Sequence, residues 1–159
     1  MGKRELVIIG AGPAGLTAAI YGKRSGLDVL VLEKGIPGGQ INSTGEIENW
    51  TGVLHASGAE LADSFREHAE HFKADFLEAE VKKITVDGGR KVIHTDEGEI
   101  EAEAVIIATG ASFRRLGAPG EKEFTGRGVS YCAVCDGAFF EDQEIAVIGG
   151  GNTAVEEAV

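Results

Sequence analysis

Residues 4–15, RELVIIGAGPAG, constrain this chain more than any other stretch: a short apolar run breaks directly into Gly10-Ala11-Gly12-Pro13-Ala14-Gly15. The apolar run reads as a buried parallel strand. The following PAGLTAAIYGKRSG reads as a helix with Pro13 in its first turn and Gly26 as its stop. A second apolar run, VLVLE at 29–33, completes a βαβ unit whose crossover is right-handed. Such a unit starts a doubly wound α/β sheet. In this setting GxGxxG is a dinucleotide fingerprint. Gly10 permits the turn, Gly12 lets backbone approach a pyrophosphate, and Gly15 lets helix and strand close up. The free N–H groups and positive end of the helix then hold phosphate. Glu33 ends the second strand 23 residues after Gly10, where a carboxylate accepts hydrogen bonds from a ribose diol. The competing reading, glycines serving helix packing alone, leaves Glu33 without a purpose.

The rest of the chain alternates periodicities. Residues 34–58 are rich in Gly, Asn, Ser and Thr and read as a long ordered loop. AELADSFREHAEHFKA then places Leu61, Phe65, Ala69 and Phe72 on one helical face. From Phe76 to Thr95 apolar residues alternate about Gly88-Gly89, the pattern of a β-hairpin, and AEAVIIATGA supplies another apolar strand. After Gly110 the run ASFRRLGAPGEKEFTGRG has charges, a proline and four glycines without period, which marks a domain boundary. We place one domain at 1–112 and the start of another at 113–159. In the second, EIAVIG at 144–149 reads as a strand and GGNTAVEEAV as a turn into a helix. Gly149-Gly150-Gly151-Asn152-Thr153-Ala154 thus repeats the fingerprint, with Gly149, Gly151 and Asn152 as candidate nucleotide contacts and Ala154 in the third-glycine position. The residue that would separate NAD from NADP falls beyond Val159.

Composition narrows the partners. A net charge of −11 and a pI near 4.8 oppose binding along a phosphate backbone, which relies on clustered Lys and Arg, so no nucleic-acid partner is expected. No stretch approaches the roughly 20 apolar residues of a membrane-spanning helix. The glycine-broken N-terminal run is a poor signal peptide. A cytoplasmic location follows, with reduced thiols as the resting expectation.

The two cysteines, Cys132 and Cys135, stand in YCAVCDGAFF with Asp136 directly after them. A structural staple closing so few residues returns only about 2 kcal/mol. A zinc site needs two more ligands, and the only paired candidates, His68 and His71, share a polar helix side with Glu67 and Glu70 at a long, irregular distance in sequence. His55 and His94 read as solvated loop and strand residues, so no metal is expected. A redox dithiol accounts for more. Cys-x-x-Cys opens and closes without backbone movement, and a helix starting here makes thiolate available near neutral pH. Asp136 is then either an acid–base group for a departing sulfur or the N-cap of that helix, and the two roles are compatible.

With GAGPAGLTAAIY, GGQ at 38–40, ENW at 48–50, ATGA at 108–111, CAVCDG at 132–137 and GGGNTA at 149–154 in this order, the chain resembles the low-molecular-weight thioredoxin reductases, over about the first half of a family member. The resemblance implies a Rossmann-like FAD-binding domain, a parallel sheet with helices and a small β-meander, followed by the start of a Rossmann-like nicotinamide-nucleotide domain. It implies electron flow from NADPH through FAD to the cysteine pair and on to thioredoxin, in a homodimer whose domains rotate against each other. Cys135 would face the flavin, Cys132 attack thioredoxin, and Asp136 move the proton. Gly10 to Ala14, Glu33, Lys34, Gly39, Gln40, Asn49, Val81, Ala108, Thr109 and Gly110 match positions lining FAD. Thr51 departs from the family's usual proline after ENW. The family's second half, with its basic 2′-phosphate motif, is missing from these residues, which implies a fragment. Rivals are a ferredoxin-driven reductase, an inactive FAD-binding or dimerisation module, and a peroxide-reductase flavoprotein subunit.

Overall fold

The computed structural model describes residues 2–159, apart from the side chain of Val134. They fall into two compact units, residues 2–46 with 56–111, and residues 47–55 with 112–159. The first is built on the expected βαβ opening: β1 (Lys3–Ile9), α1 (Pro13–Arg24) and β2 (Val29–Glu33). A short 3₁₀ turn (Gly39–Ser43) follows, then α2 (Gly58–His71), β3 (Asp75–Glu78), β4 (Val81–Asp87), β5 (Arg90–Thr95) and β6 (Gly98–Ile107). The six strands form one sheet in the order β3-β2-β1-β6-β5-β4. β3, β2, β1 and β6 run parallel, while β5 and β4 continue antiparallel as a meander.

Strand alternation divides the core in two, because neighbouring side chains point to opposite faces. Leu6, Ile8, Val29 and Val31 face Leu16 and Ala19 of α1 and Ala69 of α2. Val7, Ile9, Leu30 and Leu32 pack instead with Ile93, Ile100 and Ala102 of the meander. Both faces are thus apolar, which explains why β1 and β2 read as unbroken hydrophobic runs. The helix read from Leu61, Phe65, Ala69 and Phe72 is α2, which starts with a reciprocal capping box: Ser57 Oγ accepts from the Glu60 N–H and the Glu60 carboxylate accepts from the Ser57 N–H. It ends on Lys73 at φ 62°, with the Ala74 N–H reaching back to the Ala69 carbonyl in a Schellman closure.

Two expectations require correction. Residues 76–78 do not belong to the hairpin: they lie in β3, paired parallel to β2 with Phe76 opposite Val31, because burial beside β2 satisfies their apolar side chains. The hairpin proper is β4–β5. In the second unit, 144–149 forms no strand, and Ile145, Val147 and Ile148 are exposed. A buried parallel strand needs neighbours for its N–H and C=O groups, and none is present among the described residues. The second unit otherwise holds short elements: α3 (Glu121–Phe124), α4 (Ala133–Asp136), a 3₁₀ turn (Gly137–Phe140) and α5 (Asn152–Glu156).

Candidate functional site: a dinucleotide cradle and a disulfide turn

The cradle in the first unit is formed where β1 meets α1. Gly10 sits at φ +104°, and a Cβ there would fall 2.3 Å from the Ala108 carbonyl oxygen, so the end of β6 forbids any side chain. At Gly15 a Cβ would lie 1.9 Å from the Gly10 carbonyl oxygen. Gly12 is different: a Cβ would meet nothing within 4 Å among the described residues. The protein's own packing does not require glycine at position 12, so the open space is the feature to be explained. α1 begins there with Gly12 as N-cap, no side-chain cap, Pro13 in its first turn and no acid to compete with an anion.

Glu33, the Gly38–Gly39 backbone and the end of β6 meet this turn. Glu33 accepts from the Ala11 N–H through Oε2 (2.9 Å) and from the Gly35 N–H through Oε1 (3.1 Å). The carboxylate is oriented by these bonds yet keeps spare lone pairs for a diol. Lys34 extends to within 4.0 Å of Glu80, next to Val81. Val81 opens β4 and packs half-buried on the meander core. The Gly38 N–H donates to the Ala11 carbonyl (2.8 Å), and a Cβ on Gly39 would be 3.4 Å from Gly12 Cα, so the 3₁₀ turn lies against the glycine turn. Gln40 Nε2 donates to the Ala111 carbonyl. The Ala108 N–H donates to the Ile9 carbonyl (2.8 Å), which seats Ala108, Thr109 and Gly110 beside Gly10. Asn49 belongs to the second unit and is exposed. The donors, the open Gly12 and the braced Glu33 fit a dinucleotide.

The second fingerprint, in the second unit, keeps the turn and the helix start without the preceding strand. Gly149 has φ +145°, Cβ atoms on Gly150 or Gly151 would meet nothing within 4 Å, and α5 starts at Asn152. Its third position tolerates Ala154, whose Cβ would stand 3.0 Å from one on Gly149.

Cys132 and Cys135 are joined in a disulfide with Cα atoms 5.3 Å apart. Cys132 is the N-cap of α4, half-buried, and Cys135 is exposed. Asp136 ends α4 and stands at the N-cap position of the following 3₁₀ turn, but its side chain makes no capping hydrogen bond to either element, which corrects the capping expectation. Its carboxylate is taken by a neighbour instead: Ser130 Oγ lies 2.6 Å from Asp136 Oδ2 and accepts from the Cys132 N–H at 3.0 Å. The Ala133 N–H, inside the cysteine loop, donates to Glu157 Oε2 (2.7 Å) just beyond α5. His68 and His71 lie with their rings 5.5 and 5.4 Å from that of Phe72. His94 is not a lone strand residue: it links Thr85 (2.9 Å) to Glu99 (3.0 Å) across β4, β5 and β6.

One anchor of the cysteine segment escaped the motifs. Glu121 is buried; its Oε1 accepts from the Tyr131 hydroxyl (2.5 Å) and the Leu116 N–H (2.9 Å), and its Oε2 from the Gly117 N–H (2.6 Å). The Tyr131 hydroxyl bond, with these backbone donors, holds the Glu121 carboxyl below its ordinary value, and the same bond holds the Tyr131 hydroxyl above its own. Tyr131 also stacks on Phe113 at 5.0 Å. The signal was available as an acid within an irregular run, but its partners are two backbone amides and a tyrosine that no spacing rule connects.

Residues 4–159, which hold both glycine turns and the disulfide with its acid, match the family Pyridine nucleotide-disulphide oxidoreductase. The chain belongs to that family. Within it the chain is 51% identical over 98% of its length to a thioredoxin reductase of Bacillus subtilis and 50% identical over 96% to one of Listeria monocytogenes. Its structure matches the crystal structure of thioredoxin reductase from Streptococcus pyogenes with a TM-score of 0.93 at 53% identity, over 98% of this chain and 51% of that one. The chain spans about half the length of the curated relatives it matches. No helix among the described residues is long and apolar enough to cross a membrane.

Proposed function

We propose that this chain carries the FAD cradle and the redox dithiol of a thioredoxin-disulfide reductase that draws electrons from NADPH. The observation that supports this most is the disulfide turn: Cys132 and Cys135 are bonded to each other, with Asp136 hydrogen-bonded beside them. The names of the similar proteins point the same way. Bound FAD supplies two-electron redox chemistry between a nicotinamide and a disulfide. The α1 N-terminus and Gly12 would hold its phosphates, Glu33 its ribose, and Gly10, Ala11, Gly39, Gln40, Val81 and the 108–110 strand end would line it. In turnover the Cys132 thiolate attacks one sulfur of the thioredoxin disulfide, whose other sulfur leaves and takes a proton. The Cys135 thiolate then attacks Cys132 Sγ and releases the second thioredoxin sulfur. Two electrons pass outward, the Cys132–Cys135 disulfide re-forms, and Asp136 exchanges the proton. A cytoplasmic homodimer is part of this reading.

The exposed Ile145, Val147 and Ile148 favour a second statement, that these 159 residues alone hold FAD without a working hydride route. A visible spectrum of the purified chain with FAD, followed by anaerobic NADPH, tests both. Retained flavin that stays oxidised is the expected result. Failure to retain flavin refutes the cradle, and bleaching by NADPH refutes the missing route. Turnover of thioredoxin with NADPH, rather than with reduced ferredoxin, tests the donor.

A further inference from the structure

The disulfide turn has an organiser that no motif marks. Ser130 Oγ lies 2.6 Å from Asp136 Oδ2, 3.1 Å from the Cys132 carbonyl oxygen, and 3.0 Å from the Cys132 amide nitrogen that donates to it. A hydroxyl has one hydrogen to give and two lone pairs. The shortest of the three contacts is to a carboxylate, and charge-assisted bonds are the shorter and stronger class, so the hydrogen goes to Asp136. The Cys132 N–H then fills a lone pair. A continuous relay results, from the Cys132 backbone through one hydroxyl to the carboxylate, independent of the i to i+4 bond in which the Asp136 N–H donates to the Cys132 carbonyl (3.1 Å).

We propose that Ser130 is the positioning residue of the dithiol: it fixes the Asp136 carboxylate against the Cys132 end of the turn. This rests on the reading of Cys132–Cys135 as a working dithiol with Asp136 as its acid–base group. When the disulfide is reduced, two electrons enter, the S–S bond breaks, and each sulfur ends as a thiol or thiolate. Asp136 exchanges the proton with the departing sulfur. Dithiothreitol is the reductant in the test below. The other titratable groups on this turn are Cys135, Glu157 of the α5 end on the Ala133 N–H, and Tyr131, whose hydroxyl belongs to Glu121.

The test uses the intact chain, reduced with dithiothreitol, freed of it, and alkylated with iodoacetamide from about pH 5 to pH 9, the range in which perturbed thiols titrate. Modification of Cys132 and Cys135 is followed separately by peptide mass. Asp136→Asn sets the reference displacement of the Cys132 profile. Ser130→Ala, with Ser130→Gly as a second deletion should the alanine variant fail to fold, is expected to reproduce most of that displacement. Ser130→Thr, which keeps the hydroxyl, is expected to restore the native profile. The double variant S130A/D136N should behave as D136N alone, since groups acting as one unit are not additive. A native profile in S130A beside a displaced one in D136N overturns the positioning role and leaves the acid–base reading standing. A Thr variant displaced as far as the Ala variant overturns it also, because packing rather than the hydroxyl would then matter. An undisplaced D136N profile sinks the acid–base reading itself.

Discussion

Gly12 and Gly15 stand in one motif, yet the structure separates their roles, and one pair of substitutions isolates them. In Gly15→Ala the new Cβ would lie 1.9 Å from the Gly10 carbonyl oxygen and 3.4 Å from Ile8 Cγ2. Real contacts of that kind exceed 3 Å, so α1 must move off β1 by over an ångström. Overpacking of this sort costs about 1–3 kcal/mol, less up to about 1 kcal/mol from the better helix propensity of alanine. A net loss of about 2 kcal/mol, or roughly 4–8 °C in Tm for a chain of this size, is expected. In Gly12→Ala the Cβ enters open space, and φ −75° with ψ 179° suits alanine. The loss of a favourable N-cap and the stiffer unfolded chain nearly cancel, leaving the stability within about 0.5 kcal/mol of native. FAD affinity should move the other way: titration calorimetry should show binding abolished in Gly12→Ala, whose methyl occupies the pyrophosphate position. Native FAD affinity in a folded G12A chain would refute the cradle. A melting loss in G12A equal to that in G15A would refute the steric argument.

Two further outcomes follow from single residues. Lys73 holds φ 62° at the α2 Schellman closure, where an L-residue costs about 1–2 kcal/mol, so Lys73→Gly should gain about 0.5–1 kcal/mol after the entropy of glycine is counted, read as a higher Tm. The Glu121–Tyr131 bond predicts a stability profile bounded on both sides. A carboxyl held below its ordinary 4.5 contributes stability above that value, lost as pH falls through the depressed one. A hydroxyl held above its ordinary 10.0 contributes stability below that value, lost as pH rises through the raised one. Denaturant melts of Tyr131→Phe across pH should lose the alkaline limb and weaken the acid limb, and an unchanged profile would contradict the bond.

What was legible in the sequence is what short-range chemistry encodes. The first βαβ unit carries its strands as apolar runs, its turn as glycines and its helix start as Pro13, all within thirty residues, and every one of these forms. The hairpin is written the same way at Gly88-Gly89. β3 was misread because Phe76 and Leu77 are too few to distinguish a parallel edge strand from the approach to a hairpin; only the pairing of Val31 with Phe76 decides it. At the dithiol, the cysteines and the acid were visible as a spacing, whereas Ser130, Glu121 and Glu157 act through bonds spanning 6, 10 and 24 positions, and serine and glutamate are too common to carry such a signal.

The two glycine turns separate local from distant encoding within one chain. Around Gly10 the strand is formed on both sides, with β2 and β6 hydrogen-bonded to β1, and the turn is locked by the Ala108 carbonyl as well as by its own helix. Around Gly149 the preceding segment has no strand partners among the described residues, and its Ile145, Val147 and Ile148 side chains are exposed, yet Gly149 still takes a positive φ and α5 still starts at Asn152. The turn and the helix start therefore need only the residues within them, while the strand needs neighbours for its backbone groups. The third position shows the difference in packing demand: β1 and α1 press so closely that Gly15 admits no methyl group, whereas the looser second turn accommodates Ala154. Pairing of 144–149 with neighbouring strands would shield those side chains without any change in the turn already built.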